Sequence, residues 1–130
     1  MGTNLDVFLE VENCHVTGFQ LFGHFDLPRY VQLYALLGSR SHVAREGLQP
    51  VFALRGLPND LDENSLEEMQ KATLIDECPM ISWLTFEEVS VVWEHLRIHG
   101  THPEFFAILV AMQSLQQLGF RTRLVYCFDQ

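Results

Sequence analysis

Lysine is nearly missing from this sequence of 130 residues: Lys71 stands alone beside seven arginines. Lysine would serve solubility equally well, whereas arginine carries a planar fork that grips carboxylates and phosphates. Basic charge of either kind is scarce, with 8 lysines and arginines against 17 acidic residues and a net charge of −9. A surface this negative repels phosphate backbones and argues against general nucleic-acid binding. Long apolar runs are also lacking. The longest, Phe105 to Met112, falls far short of the roughly 20 residues that span a bilayer. Met1 to Asp6 offer neither the basic start nor the cleavable apolar stretch of a secretory signal. Asp6 stands where myristoylation at Gly2 would call for Ser or Thr, so no membrane association is expected. The three cysteines, Cys14, Cys78 and Cys127, have no close spacing. They are expected to be free thiols in a reducing cytosol, buried as small hydrophobes.

What is present is a core. A composition 48% hydrophobic and 12% aromatic excludes disorder. A chain of this length suits one domain burying roughly two-thirds of its unfolded surface. Leu5, Val7, Leu9 and Val11 alternate with Asp6, Phe8, Glu10 and Glu12, which predicts a half-buried strand. Val16 to Phe25 predicts a second strand, paired with the first as a hairpin, with Gly18 and Gly23 marking a turn or bulge. Asp26 and Pro28 suit the start of a helix through Tyr30, Leu33, Tyr34 and Leu37, ended by Gly38. Residues 39–50 are polar and irregular, the best loop candidate, and 51–54 offers a short optional strand. A mostly exposed helix is expected over 65–73. Thr85 with Glu88 makes a capping box for the next, which carries the stripe Phe86, Val89, Trp93 and Leu96. Pro103 opens a central helix stopped by Gly119, and Arg121 to Phe128 closes the chain as a strand. The expected fold is a single α+β domain: a small antiparallel sheet with about four helices, mainly on one face.

Chemical signatures are sparse. His95 and His99 share a helix face at i and i+4, but no His-Glu-x-x-His is present and Gly100 separates them from His102. All three histidines are expected on the solvent side, so no metal site is assigned. Cys14-His15 with His24 lacks the orienting carboxylate and oxyanion hole that nucleophilic catalysis needs. The acidic pairs Glu67-Glu68, Asp76-Glu77 and Glu87-Glu88 read as solvated charge, with Glu88 also capping. No phosphate loop, dinucleotide fingerprint or serine elbow occurs. Catalytic residues and cofactors are therefore not expected.

The remaining pattern sets arginine beside aromatic residues. Arg29, Tyr30, Arg40, Arg55 and Arg123 lie near the ends of predicted core elements, and Trp83 lies just before the Thr85 cap. In an acidic protein such arginines can form one local anion pocket, with an aromatic ring for stacking. The plainer alternatives are ion pairing with the surplus acids and, for Trp83, packing back onto its helix as a staple.

Phe25-Asp26-Leu27-Pro28-Arg29-Tyr30, Tyr34-Ala35-Leu36-Leu37, Arg55-Gly56-Leu57-Pro58-Asn59-Asp60, Ser82-Trp83-Leu84-Thr85 and the closing Arg123-Leu124-Val125-Tyr126-Cys127-Phe128-Asp129 follow one another along most of the chain. This series resembles that of a widespread family of small tailed-phage proteins. Gln130 and Cys127 depart from that pattern, which there often has Asn and an aromatic. The resemblance implies a phage accessory protein acting in the host cytoplasm, in counter-defence. Joined to the arginine–aromatic pattern, it leads to the expectation of a non-enzymatic binder that sequesters a small host nucleotide immune signal. The alternatives are an acidic inhibitor docked on a host protein, a signal-degrading enzyme and a virion component. A homo-oligomer is compatible with the apolar 105–118 helix.

Overall fold

The computed structural model describes residues 4–13, 18–72 and 80–129. Gly2, Cys14, His15, Cys78 and the Asp76-Glu77 pair lie outside the described residues. Strands β1 (Asn4–Glu12), β2 (Phe19–Leu27), β3 (Ile81–Thr85) and β4 (Arg121–Asp129) form one sheet in the order β2-β1-β4-β3. Every neighbouring pair is antiparallel. Helices α1 (Val31–Leu36), α2 (Arg40–Glu46), α3 (Glu63–Ala72), α4 (Phe86–Leu96) and α5 (Pro103–Gln117) complete an α+β fold. Among the described residues no helix is long and apolar enough to cross a membrane.

The N-terminal hairpin and the closing strand form as the alternation predicts, but β1 is not half-buried. Leu5, Val7 and Leu9 face the larger core with Leu124 and Tyr126, beneath α1, α4 and α5. Phe8 faces a second, smaller core with Val125, Cys127 and Ile81, closed by Met69 of α3. Polar Asp6 and Glu10 share that second face and are buried with it. The helix expected to lie mostly exposed is what covers them. Burial of a large apolar side chain contributes about 1.5–3 kcal/mol, so both faces stabilise the central strands.

Three local expectations are corrected. Residues 51–54 form no strand: the Val51 N–H donates to Leu36 O at 3.0 Å, tying the segment to the end of α1. The strand in this part of the fold is β3, directly before the Thr85 cap. Its alternation is hard to see because Ile81, Ser82 and Leu84 are all buried. The supposed loop at 39–50 contains α2, with Ser39 as N-cap and Gly47 at φ 66° as its left-handed C-cap. Asp26 is no helix cap, because hairpin pairing runs on through Asp6↔Asp26 and Leu5↔Leu27. Pro28 then disfavours helical backbone in the residue before it, and α1 begins at Val31. At α4 the capping box forms: the Glu88 N–H donates to Thr85 Oγ1 at 3.3 Å, and the Thr85 N–H to Glu88 Oε1 at 3.0 Å.

Candidate functional site

The polar face of the sheet has two ends, and each opens into a cleft. At one end β1 and β3 finish while β2 and β4 begin, which places Glu12 opposite both Phe19 and Arg121. Here a cleft of about 810 Å³ is lined by Phe19, Arg55, Trp83, Arg121 and Arg123, with Asn59, Asp60, Glu87 and Gln116 on its walls. That volume lies within the range of small-molecule sites.

Arg55 reaches the cleft from the 55–60 turn. Gly56 adopts φ 76°, which lets its N–H donate to Ile81 O at 2.9 Å while the Arg55 N–H donates to Ser82 Oγ, also at 2.9 Å. The turn thereby sheathes the outer edge of β3. The Arg55 guanidinium then lies over the Trp83 ring, 4.7 Å from its centroid, and donates to Trp83 O at 3.1 Å. It also forms a two-pronged pair with the Glu88 carboxylate, through Nη1 at 2.6 Å and through Nη2. These bonds hold the Glu88 carboxyl down at about 2, assisted by its cap bond to Thr85. Trp83 is therefore an arginine platform, not a staple against α4.

Arg123 is buried and has a different environment. Its Nε donates to Glu10 Oε1 at 2.7 Å, its Nη1 to Asp60 Oδ1 at 2.6 Å and its Nη2 to Asp60 O at 3.2 Å. Glu10 is fully buried and also accepts from Ser65 Oγ at 2.5 Å and from the Asp62 N–H at 3.1 Å. Asp60 is the opposite case, with 60% of its side chain exposed, and the Arg123 hydrogen bond pulls its carboxyl below the usual range. Phe19 lies beneath both Arg123 and Arg121, at 4.1 and 5.6 Å from its centroid.

The fold thus gathers Arg55, Trp83 and Arg123 in one cleft and sets the other three sequence candidates elsewhere. Arg29 is exposed after β2, with Nη2 donating to Asn4 Oδ1 at 3.3 Å. Tyr30 donates to the Glu104 carboxylate at 2.5 Å and meets the edge of His102. Arg40 is exposed in the first turn of α2, away from the cleft. Arg121 shares a strand face with Arg123 by the period-two rule, whereas only strand register brings Phe19 beside them. His95 and His99 are exposed as expected, but His102 is buried against Tyr30, with Nδ1 in hydrogen-bond contact with Gly100 O at 3.2 Å.

The opposite end of the same face holds the second cleft, about 740 Å³, lined by Asp6, His24, Asp26, Arg29, Glu68 and Lys71. Asp6 and Asp26 are register partners across the hairpin, and His24 sits two residues before Asp26 on the same face. His24 Nε2 lies 2.9 Å from Asp6 Oδ1, and its ring stacks on buried Phe8 at 4.3 Å. Burial, followed by a proton shared with the Asp26 carboxylate, pushes the Asp6 carboxyl up to about 6.

No family model, curated protein or solved structure matches the chain.

Proposed function

We propose that the protein is a non-enzymatic binder of a small anionic, nucleotide-like ligand, held in the cleft formed by Arg55, Trp83, Arg121, Arg123 and Phe19. In the setting implied by the tailed-phage resemblance, it sequesters a host nucleotide immune signal in the host cytoplasm. One observation carries the reading. Three arginines and two aromatic rings from four separate chain segments converge on one open cleft of ligand size, in a protein whose net charge is −9. Each of these arginines is held by a carboxylate, so a compact anion binds by exchange with an exposed partner, while the negative surround disfavours a polyanion.

The division of ion pairs supports the same reading. Glu10 is locked to Arg123 from within, whereas Asp60 and the Arg121–Glu12 pair face the solvent. A phosphate has exposed counter-ions to displace without unpairing the buried one, and exposed pairs of this kind contribute only about 0–1 kcal/mol.

Calorimetric titration against cyclic dinucleotides and ADP-ribose derivatives tests the proposal. One ligand in the panel binds stoichiometrically and is recovered intact after denaturation. Trp83→Ala removes the platform under Arg55 and weakens ligand binding about tenfold, in line with the roughly 0.5–2 kcal/mol of a cation–π contact. No binding across the panel overturns the proposal, and recovery of a cleaved ligand would replace it with a degrading enzyme. A co-purifying host protein whose association weakens with salt would favour the inhibitor alternative.

A further inference from the structure

We propose that Asp6, His24 and Asp26 form a binding site for one divalent first-row transition-metal cation, at the end of the sheet opposite the arginine cleft. Among the described residues these three offer ligand atoms that all lie within 4.8 Å of one another. In a tetrahedral shell with bonds of about 2.0–2.1 Å, ligand atoms stand roughly 3.3–3.5 Å apart. The 2.9 Å between His24 Nε2 and Asp6 Oδ1 is therefore a proton-bridged contact that a cation replaces after a small opening. Asp26 is exposed, and its carboxyl already shares a hydrogen bond with Asp6 across the hairpin.

Three features distinguish the cluster from a surface group of acids. It mixes one imidazole nitrogen with carboxylate oxygens, a donor set suited to zinc, iron or manganese more than to calcium. Its central carboxylate is buried, only 5% exposed, and directly opposes a second aspartate in the sheet. Like charges in that position destabilise a sheet, and a cation between them reverses the sign. The imidazole is also held in place. Phe8 stacks on one side, and Nδ1 faces Glu68 Oε2 of α3 at 3.6 Å, which orients Nε2 toward the two aspartates. A carboxylate on the remote ring nitrogen is the usual outer support of a metal-bound histidine. The open side of the cleft leaves positions for water. Lys71 and Arg29 on its rim temper the affinity, and Lys71 is already engaged by Glu68 at 3.4 Å.

Manganese is the appropriate probe, because thiols compete for it poorly. Free Mn2+ is followed by electron paramagnetic resonance during titration of the full chain. The expected result is one Mn2+ per chain, with Asp26→Asn and His24→Gln each weakening binding at least tenfold. Asp26 is exposed, so its variant retains the native circular dichroism spectrum. The double variant His95→Gln/His99→Gln removes the exposed histidine pair and leaves the affinity unchanged. Failure to bind at millimolar Mn2+ overturns the proposal. So does binding that survives Asp26→Asn and His24→Gln, or that disappears with His95 and His99.

Discussion

Arg123 and Arg55 carry the same charge and meet carboxylates at similar distances, yet burial gives their partners different weight. Arg123 and Glu10 have no solvent to fall back on. Removing Glu10 strips buried Arg123 of its buried counter-ion and leaves only the exposed Asp60, and breaking a buried pair costs about 3–5 kcal/mol. Glu10→Ala should therefore lower stability by that amount in urea denaturation, whereas Asp60→Asn, at an exposed carboxylate, should cost under about 1 kcal/mol. Equal losses would mean that burial does not separate the two pairs. Glu88 illustrates the pH side of the same physics. Its folded-state value is about 2 against an ordinary 4.5. A carboxyl lowered in this way stabilises the fold above its unfolded pKa, and the contribution is lost as pH falls from about 4.5 towards 2. Glu88→Gln keeps a side chain able to complete the capping box but removes the charge. Its stability should decline less steeply over that pH window than that of the wild type, as measured by urea midpoints at successive pH values.

Two sequence motifs that stand 27 residues apart at Arg55 and Ser82 act as one element. The turn at 55–60 lies along the edge of β3 through Gly56 and Arg55, and Arg55 then closes onto the Trp83 carbonyl and Glu88. An otherwise open strand edge is covered by this arrangement, which also removes a template for edge-to-edge aggregation. Gly56 is the position on which the turn depends. A Cβ there meets nothing within 4 Å, so the cost of Gly56→Ala is conformational and not steric. With φ at 76°, the substitution should destabilise by about 1–2 kcal/mol in thermal or urea unfolding. Thr85→Ala removes the other half of the junction and should cost about 1 kcal/mol, the usual weight of an N-cap. An unaffected Gly56→Ala would show that the turn tolerates another backbone conformation.

At the scale of the molecule, a single sheet separates an apolar face from a polar one. The apolar face takes α1, α4 and α5 and supplies most of the core. The polar face carries Asp6, Glu10 and Arg123 under α3, and both clefts lie at its ends. The arginines of the cleft are paired with carboxylates, and the molecule as a whole carries −9. Duplex DNA and single-stranded RNA should accordingly migrate unretarded with the protein in gel shift at 0.1 M salt, where screening reaches about 10 Å. Retardation of either would show that the cleft dominates the global field.

Much of the fold was legible in the sequence because it rests on local rules. Period-two alternation marked β1 and β4, Thr85 and Glu88 marked the start of α4, and Pro103 and Gly119 bracketed α5. The charge balance and the arginine bias are properties of composition alone. The errors arose where a residue's state depends on a distant partner. β3 leaves no alternation in the sequence because it is buried on both faces, and Asp26 has the local features of a helix cap although its pairing with Asp6 makes it part of a strand. The candidate site was half legible. Arg55, Trp83 and Arg123 stand out by residue type and period two adds Arg121, but no local rule brings Phe19 beside them or sets Asp6 with His24 and Asp26 in one cluster. Those groupings follow from strand register and from α3 closing the second face, and both are decided by contacts between segments remote in the chain.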